Sequence, residues 1–147
     1  MSTTVAADPV AVANRLRPVL FKLNRALRRE LHSLGVTGGQ VSLLVQISKH
    51  RGIGIRDLAT LESMSAPGMS KYVARLEREG LVDRGPVGGD RRRIGLGLSE
   101  AGERVLRSVR SRRTAWLAAR LRELEPDEID AIDAAIEPLT RLLDVEA

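Results

Sequence analysis

Apolar positions follow a helical spacing along most of the chain, and one short segment alternates instead. In residues 94–98, isoleucine and leucine alternate with glycine, which is typical of a half-buried strand. Elsewhere, apolar residues recur three and four positions apart and so share one face of a helix. This spacing predicts helices over about 9–33, 37–49, 55–62, 65–80 and 100–124, and a last helix from Pro126. The fold class is therefore mainly α with a small β-hairpin.

The hairpin is predicted to carry a basic tip. Residues 81–84 read as the strand that precedes the turn, and Gly85 to Gly89 can supply the turn, because glycine adopts positive φ without strain. Next to that turn, the acidic residue Asp90 is followed by three basic residues, Arg91, Arg92 and Arg93. A basic hairpin that directly follows a basic helix is typical of a wing that binds duplex DNA.

The helix before the hairpin is predicted to have two faces. Ser65 is a plausible N-cap, Pro67 is tolerated in the first turn, and Gly80 favours the end of the helix. Its apolar stripe is Met69, Val73 and Leu76, and its basic stripe, on roughly the opposite face, is Lys71, Arg75 and Arg78. With residues 55–62 as the helix before it and residues 63–65 as the turn, the segment predicts a helix-turn-helix. By itself, such a basic stripe also fits a merely solvated helix face.

These motifs together resemble the winged helix-turn-helix of MarR-family transcriptional regulators. The resemblance rests on LATLESMSAPGMSKYVARLEREGLVDR followed by DRRRIGLGLSEAG, and flanking helices extend it over essentially the whole chain. The family's wing usually reads Asp-x-Arg and then Leu-Thr-x-x-Gly. Asp90 and Arg92 match the first part, and Leu98, Ser99 and Gly102 match the second, with serine for threonine. The chain departs from the pattern at Glu62, where related units often have an apolar residue.

The resemblance implies a homodimeric regulator of double-stranded DNA, most simply a repressor. The recognition helix would enter the major groove at a pseudo-palindromic operator, and the wing would reach the adjacent minor groove. There Arg92 would insert, with Asp90 orienting it. The residues expected to contact DNA are Ser65, Gly68, Ser70, Lys71, Arg75, Asp90, Arg91, Arg92 and Arg93.

The resemblance also implies a small-molecule effector, possibly an aromatic acid. Many relatives release DNA when such a ligand binds between the dimer helices and the winged domain. Phe21 and Trp116 are the candidate ligand-binding residues, although packing in a core or an interface is the alternative for Trp116.

The terminal segments carry opposite charges and regular apolar seams. Residues 1–34 hold six basic and two acidic side chains, whereas residues 126–147 hold one basic and seven acidic ones. The seams are Leu16, Leu20, Leu23, Leu27 and Leu31 in the first helix and Ile129, Ile132, Ile136, Leu139 and Leu143 in the last. Such seams predict dimerisation helices, with closure inside one chain as the alternative.

The expected organisation is one intertwined domain with three regions. An N-terminal dimerisation helix spans residues 1–34, a winged helix-turn-helix spans 35–99, and C-terminal dimerisation helices span 100–147. Only about the first seven residues look unstructured.

Composition excludes several classes of protein. The 147 residues have a net charge of +5, which favours a polyanionic partner, and no cysteine, which excludes disulfides and thiolate metal sites. The amino terminus lacks a secretion signal and no stretch is apolar enough to span a membrane, so we expect a cytoplasmic protein. Three scattered aromatic residues are too few for an RNA-stacking platform.

Nothing in the sequence indicates an enzyme. His32 and His50 stand apart from other metal-ligating residues, and the glycines at 35–39 and 85–89 lack the context of a phosphate-binding loop. We therefore expect no catalytic residues, no metal and no cofactor. The alternative functions are a winged helix used for protein contacts, or an architectural DNA-binding module without ligand control.

Overall fold

The computed structural model describes residues 6–87 and 90–144, of which the side chains at 87, 90 and 91 are not described. In chain order the elements are α1 (Pro9–Arg29), a short 3₁₀ turn (His32–Leu34), α2 (Gly38–Lys49), α3 (Ile55–Leu61), α4 (Ala66–Arg78), β1 (Val82–Val87), β2 (Asp90–Leu98), α5 (Glu100–Leu121) and α6 (Pro126–Asp144). The predicted fold class, mainly helical with one antiparallel hairpin, is confirmed.

The chain forms two compact units, one up to Ser111 and the other from Arg112 onward. The core of the first unit lies among α2, α3, α4, the hairpin and the start of α5. It consists of Leu43, Leu44, Ile47, Leu58, Ala59, Met69, Val73, Leu76, Leu81, Val82, Leu96 and Leu106. A smaller cluster holds Leu31, Val36, Val41 and Val109. The proposed boundaries at residues 34 and 99 stay a prediction.

Local capping defines where α2 and α4 begin. At α2 the Thr37 hydroxyl accepts from the backbone N–H of Gln40, and the Gln40 side chain accepts from the backbone N–H of Thr37, which is the predicted capping box. At α4 the predicted N-cap Ser65 accepts from the N–H of Gly68. Gly80, with φ +75°, follows the C-cap of α4 and lets the chain leave the helix.

Glu62, where the chain departs from the family pattern, ends α3 as its C-cap. Its carboxylate oxygens lie 3.0 and 3.1 Å from the hydroxyl of Ser42 in α2, which donates to them. Because this acidic side chain has a partner, its half-buried position does not disturb the packing of α3 against α2.

The hairpin is longer than the sequence predicts. The sequence predicts that Gly85 begins the turn, but β1 continues to Val87, and Gly85 pairs with Gly95 inside the ladder. The predicted turn residues 88 and 89 lie outside the described residues. A short bridge between Ile53 and Leu96 adds the segment before α3 to the open side of β2, so that the hairpin is held against the helical core.

The terminal helices have no buried residue. The helical spacing predicts that α1 reaches Ser33, but the helix ends at Arg29, because the chain turns there and buries Leu31 completely in the smaller cluster. Leu31 is therefore a core residue of the first unit rather than a member of the terminal seam. Likewise α5 ends at Leu121 rather than Leu124. Within the described residues, no helix combines the length and apolar character needed to cross a membrane.

Candidate nucleic-acid interface

The recognition helix α4 has the two faces that its spacing predicts. Met69 and Val73 are fully buried and Leu76 is 1% exposed, so this stripe anchors the helix to the core. The predicted contact residues Ser70, Lys71 and Arg75 are all exposed, as is Arg78. A helix held by one face and basic on the other is suited to lie in the major groove of DNA.

The entry to α4 is built from small residues. Ser65 is exposed, and its hydroxyl accepts from the backbone N–H of Gly68 over 3.2 Å. A β-carbon at Gly68 would lie 3.0 Å from that hydroxyl oxygen, a tight contact. Glycine at position 68 therefore leaves room for the Ser65 cap and adds no side chain to the first turn of α4. This turn is at the N-terminal end of the helix, where the helix dipole is positive.

Arg75 is part of a hydrogen-bonded chain that reaches into the core. Its Nε donates to Oε1 of Glu79 over 3.2 Å, and Oε2 of Glu79 accepts from Nε2 of Gln40 over 3.1 Å. Gln40 is 5% exposed, and its other amide atom completes the capping box with Thr37. Sequence reasoning missed this connection, since Gln40 and Glu79 are 39 residues apart and no local spacing relates them.

The wing arginines occupy an irregular part of the hairpin. Pro86 pairs with Ile94, whereas the next residue, Val87, pairs with Asp90, so the register of the ladder shifts across residues 91–93 of β2. Such a bulge bends and twists its strand. Arg92 and Arg93 are exposed. The side chains of Asp90 and Arg91 lie outside the described residues, so the predicted orientation of Arg92 by Asp90 stays a prediction.

An ion pair connects the wing directly to the recognition helix. Nε of Arg84, in β1, donates to Oε1 of Glu77, in α4, over 2.6 Å. Each side chain is about one-third exposed, with Arg84 at 37% and Glu77 at 31%. This contact restrains the direction of β1 relative to α4, and the sequence contained no spacing signal for it.

The two candidate ligand-binding residues lie in different units. Phe21, on α1, is 64% exposed. Trp116, on α5, is half-buried, and the guanidinium of Arg120 lies 5.1 Å from the centre of its ring. That distance allows a cation–π interaction inside the second unit. A shared ligand site for Phe21 and Trp116 stays a prediction.

The described residues contain no cluster of three or more histidine, aspartate or glutamate side chains placed to hold a metal ion. Two parts of the described surface are cationic, the outer face of α4 and the arginines at the bulge of the wing.

Comparison with known proteins agrees with this geometry. An HTH-type transcriptional regulator of Mycobacterium bovis is 31% identical over 133 residues, which is 90% of this chain and 93% of that protein. A solved transcriptional regulator of Pseudomonas aeruginosa superposes with a TM-score of 0.83 and 29% identity, over 97% of this chain and all of the other. A MepR variant of Staphylococcus aureus, solved bound to an oligodeoxyribonucleotide, has the same fold at a TM-score of 0.68 and 21% identity, over 90% and 97% of the two chains.

A protein-family model also matches the part of the chain that contains the helix-turn-helix. The model of the MarR family matches residues 34–93, the segment that forms α2, α3, α4 and the bulged part of the wing. Together with the bacterial relative that is similar along nearly its whole length, this match shows that the chain belongs to the MarR family of winged helix-turn-helix transcriptional regulators.

Proposed function

We propose that the protein is a homodimeric, cytoplasmic repressor that binds a pseudo-palindromic site in double-stranded DNA and is released by a small ligand. The observation that carries the proposal is the presence of two exposed basic surfaces, the outer face of α4 and the arginine bulge of β2, in the same compact unit. MepR, which has the same fold, was solved bound to an oligodeoxyribonucleotide.

The recognition helix reads sequence in this proposal. Ser70, Lys71 and Arg75 face the major groove, where arginine and lysine discriminate guanine by its O6 and N7 acceptors. Ser65 and Gly68, at the slim entry of α4, approach a phosphate oxygen closely. The backbone contact positions the helix, and the side chains then select the base.

The wing supplies mainly non-specific affinity. Arg92 enters the minor groove, which attracts arginine most strongly where a narrow A·T-rich stretch concentrates negative potential. Asp90 orients Arg92, and Arg91 and Arg93 neutralise phosphates. These arginines lie where the register of the ladder shifts, and such an irregularity bends a strand and can re-aim its side chains.

Dimerisation rests on the terminal helices, each of which leaves apolar side chains exposed. On the seam of α1, Leu20 is 46% and Leu23 is 37% exposed; on the seam of α6, Ile136 is 56% and Leu143 is 86% exposed. Surfaces of this kind mark contacts with other chains. A second copy is the partner proposed, since a two-fold axis then relates the two recognition helices to the two half-sites.

Repression and release are the finer parts of the proposal. A dimer on a promoter-proximal operator would exclude the polymerase, and a ligand that favours a different spacing of the recognition helices would weaken operator binding. A small aromatic acid is the ligand class proposed, because Trp116 and Arg120 offer an aromatic face beside a cation.

Selection of genomic DNA fragments that bind the purified protein tests the proposal. We expect enrichment of a pseudo-palindrome whose half-sites are about one helical turn apart, roughly 10 base pairs. Binding of fragments without a shared motif would instead favour an architectural role, and no DNA binding would favour a protein-interaction module. A promoter–reporter fusion then separates repression from activation.

Ligand release has its own test. Aromatic acids are titrated into the complex with the selected operator, with loss of binding and the fluorescence of Trp116 as independent readouts. We expect both signals to saturate at the same ligand concentration. If no acid in a chemically broad set releases DNA, ligand control by this class is wrong, whereas sequence-specific binding remains.

A further inference from the structure

We infer that Glu79 is a positioning residue that directs the Arg75 side chain and thereby determines the base preference of the recognition helix. The inference rests on the proposed function, because it takes Arg75 as a residue that reads a base edge. Three features carry it: the bond from Arg75 to Glu79, the bond from Gln40 to the same carboxylate, and the burial of Gln40.

The first contact leaves the reading edge of Arg75 available. Its Nε donates to Oε1 of Glu79, and within the described part of the chain the side chain makes no other hydrogen bond. A guanidinium has five N–H donors in a planar fork, and its terminal nitrogens match O6 and N7 of guanine. An arginine held through Nε therefore keeps its two terminal nitrogens for a bidentate contact, in a plane that Glu79 defines.

The second contact holds Glu79 itself. Oε2 accepts from Nε2 of Gln40 over 3.1 Å, so each carboxylate oxygen has its own donor. The side-chain amide of Gln40 cannot flip to exchange its oxygen and nitrogen, because its Oε1 accepts from the backbone N–H of Thr37 over 3.0 Å. The direction of the carboxylate is thus set by a buried side chain that belongs to the capped start of α2.

An exposed ion pair four residues apart would not by itself justify this role. Arg75 is 65% exposed in its side chain, and such pairs restrain their members only weakly. Here the hydrogen bond from Gln40 already restricts the rotamers of Glu79 before it meets Arg75. Less conformational entropy then remains to be lost when Arg75 is ordered against a base, which is the advantage of a preorganised contact.

The charge of Glu79 makes the role distinguishable from general support of the fold. A carboxylate beside a DNA-binding face repels phosphates, so it lowers affinity for every sequence alike. A positioning role raises the preference for one base at one position. Removing the carboxylate should therefore change non-specific affinity and base preference in opposite senses, which a merely destabilised helix would not do.

The test is a base-by-base substitution scan of the selected operator with wild-type protein, Glu79→Gln and Arg75→Ala. Glutamine keeps the size of the side chain but replaces one of the two carboxylate oxygens by an NH2 group, which cannot accept, so the present contact with either Gln40 or Arg75 is lost. We expect Arg75→Ala to abolish the preference at one symmetric pair of positions, which for a bidentate contact is roughly 5- to 150-fold. Glu79→Gln should lower the same preference at least about threefold and bind a random duplex as tightly as wild type or more tightly.

Three further variants sharpen the assignment. The double variant should equal Arg75→Ala at those positions, because Glu79 acts only through Arg75. Gln40→Met leaves the recognition helix unchanged in sequence but removes both the support for Glu79 and the side-chain half of the α2 capping box, and it should lower the same preference. Glu123→Gln removes an equal charge from an exposed residue of the second unit and should leave base preference unchanged. Thermal unfolding of each variant confirms that it is folded.

The outcomes separate this inference from the proposed function. A wild-type preference in Glu79→Gln would overturn the positioning role, and so would an unchanged preference at every position in Arg75→Ala. Both results would leave sequence-specific DNA binding intact. Wild-type protein that selects no sequence would overturn the proposed function, and the positioning role with it.

Discussion

The hydroxyl of Ser99 donates a 2.5 Å hydrogen bond to the backbone carbonyl of Gly80, so the start of α5 is bonded to the end of the recognition helix. The same hydroxyl accepts from the backbone N–H of Gly102 over 3.0 Å and thereby caps α5. Ser99 also directly follows β2. This side chain therefore bonds the end of the recognition helix to the start of α5, and it occupies the hydroxyl position of the Leu-Thr-x-x-Gly pattern.

The glycine of that pattern has an equally local explanation. Gly102 is buried, and the carbonyl oxygen of Leu81 occupies the place where a β-carbon would be. The obstacle is backbone, which cannot rotate aside as a side chain can. Any other residue at 102 would push α5 away from the chain that leaves the recognition helix.

Gly102→Ala should destabilise the protein by at least about 2 kcal/mol, because overpacking against a backbone atom forces α5 to shift. Chemical denaturation measures the change in the free energy of unfolding. Gly97→Ala is the matched control, since a β-carbon there meets no atom within 4 Å, and a change below about 0.5 kcal/mol is expected. Equal stabilities of the two variants would show that the approach of Leu81 does not limit residue 102.

The Glu77–Arg84 pair should contribute a measurable coupling energy between α4 and the wing. At 2.6 Å and only about one-third exposure, we expect a double-mutant cycle with Glu77→Gln and Arg84→Met to give up to about 1 kcal/mol. The exposed Glu137–Arg141 pair of α6, at 3.6 Å, serves as the comparison and should give about 0.3 kcal/mol. A coupling no larger than that of the α6 pair would mean that Arg84 does not restrain the wing.

Arg92→Ala should weaken binding to operator and to random DNA by similar factors, because the wing is proposed to supply mainly non-specific affinity. The slope of log affinity against log salt concentration should fall by up to about 0.9. If Asp90 orients Arg92, Asp90→Ala should weaken DNA binding only slightly further in a protein that already carries Arg92→Ala. The control is Arg122→Ala, which removes the same charge from an exposed residue of the second unit; an identical loss of slope there would exclude a local role for Arg92.

Ile136→Asp should dissociate the proposed dimer, since it places a charge within the exposed apolar seam of α6. Light scattering should report the mass of one chain, while circular dichroism still shows a folded protein. Ala134→Asp introduces the same residue at an exposed position on the other side of α6 and should leave the dimer intact. A dimeric Ile136→Asp variant would place the interface elsewhere.

The sequence by itself determined the parts of this protein that depend on near neighbours. The capping of α2 by Thr37 and of α4 by Ser65 involves residues three positions apart, and the buried stripe of α4 follows from helical spacing alone. The alternation at residues 94–98 likewise identified β2. These features could be predicted because hydrogen bonds and apolar faces of this kind repeat with the geometry of the element itself.

Only the tertiary structure decided the features that depend on residues distant along the chain. Burial of Leu31 against Val109 ends α1 at Arg29, although helical spacing alone continues to Ser33. The contact of Gln40 with Glu79 and that of Leu81 with Gly102 arise from the packing of whole elements. No spacing rule predicts such contacts, because they depend on how the helices and the wing pack together in one core. A change of one residue in the length of an element alters every contact beyond it.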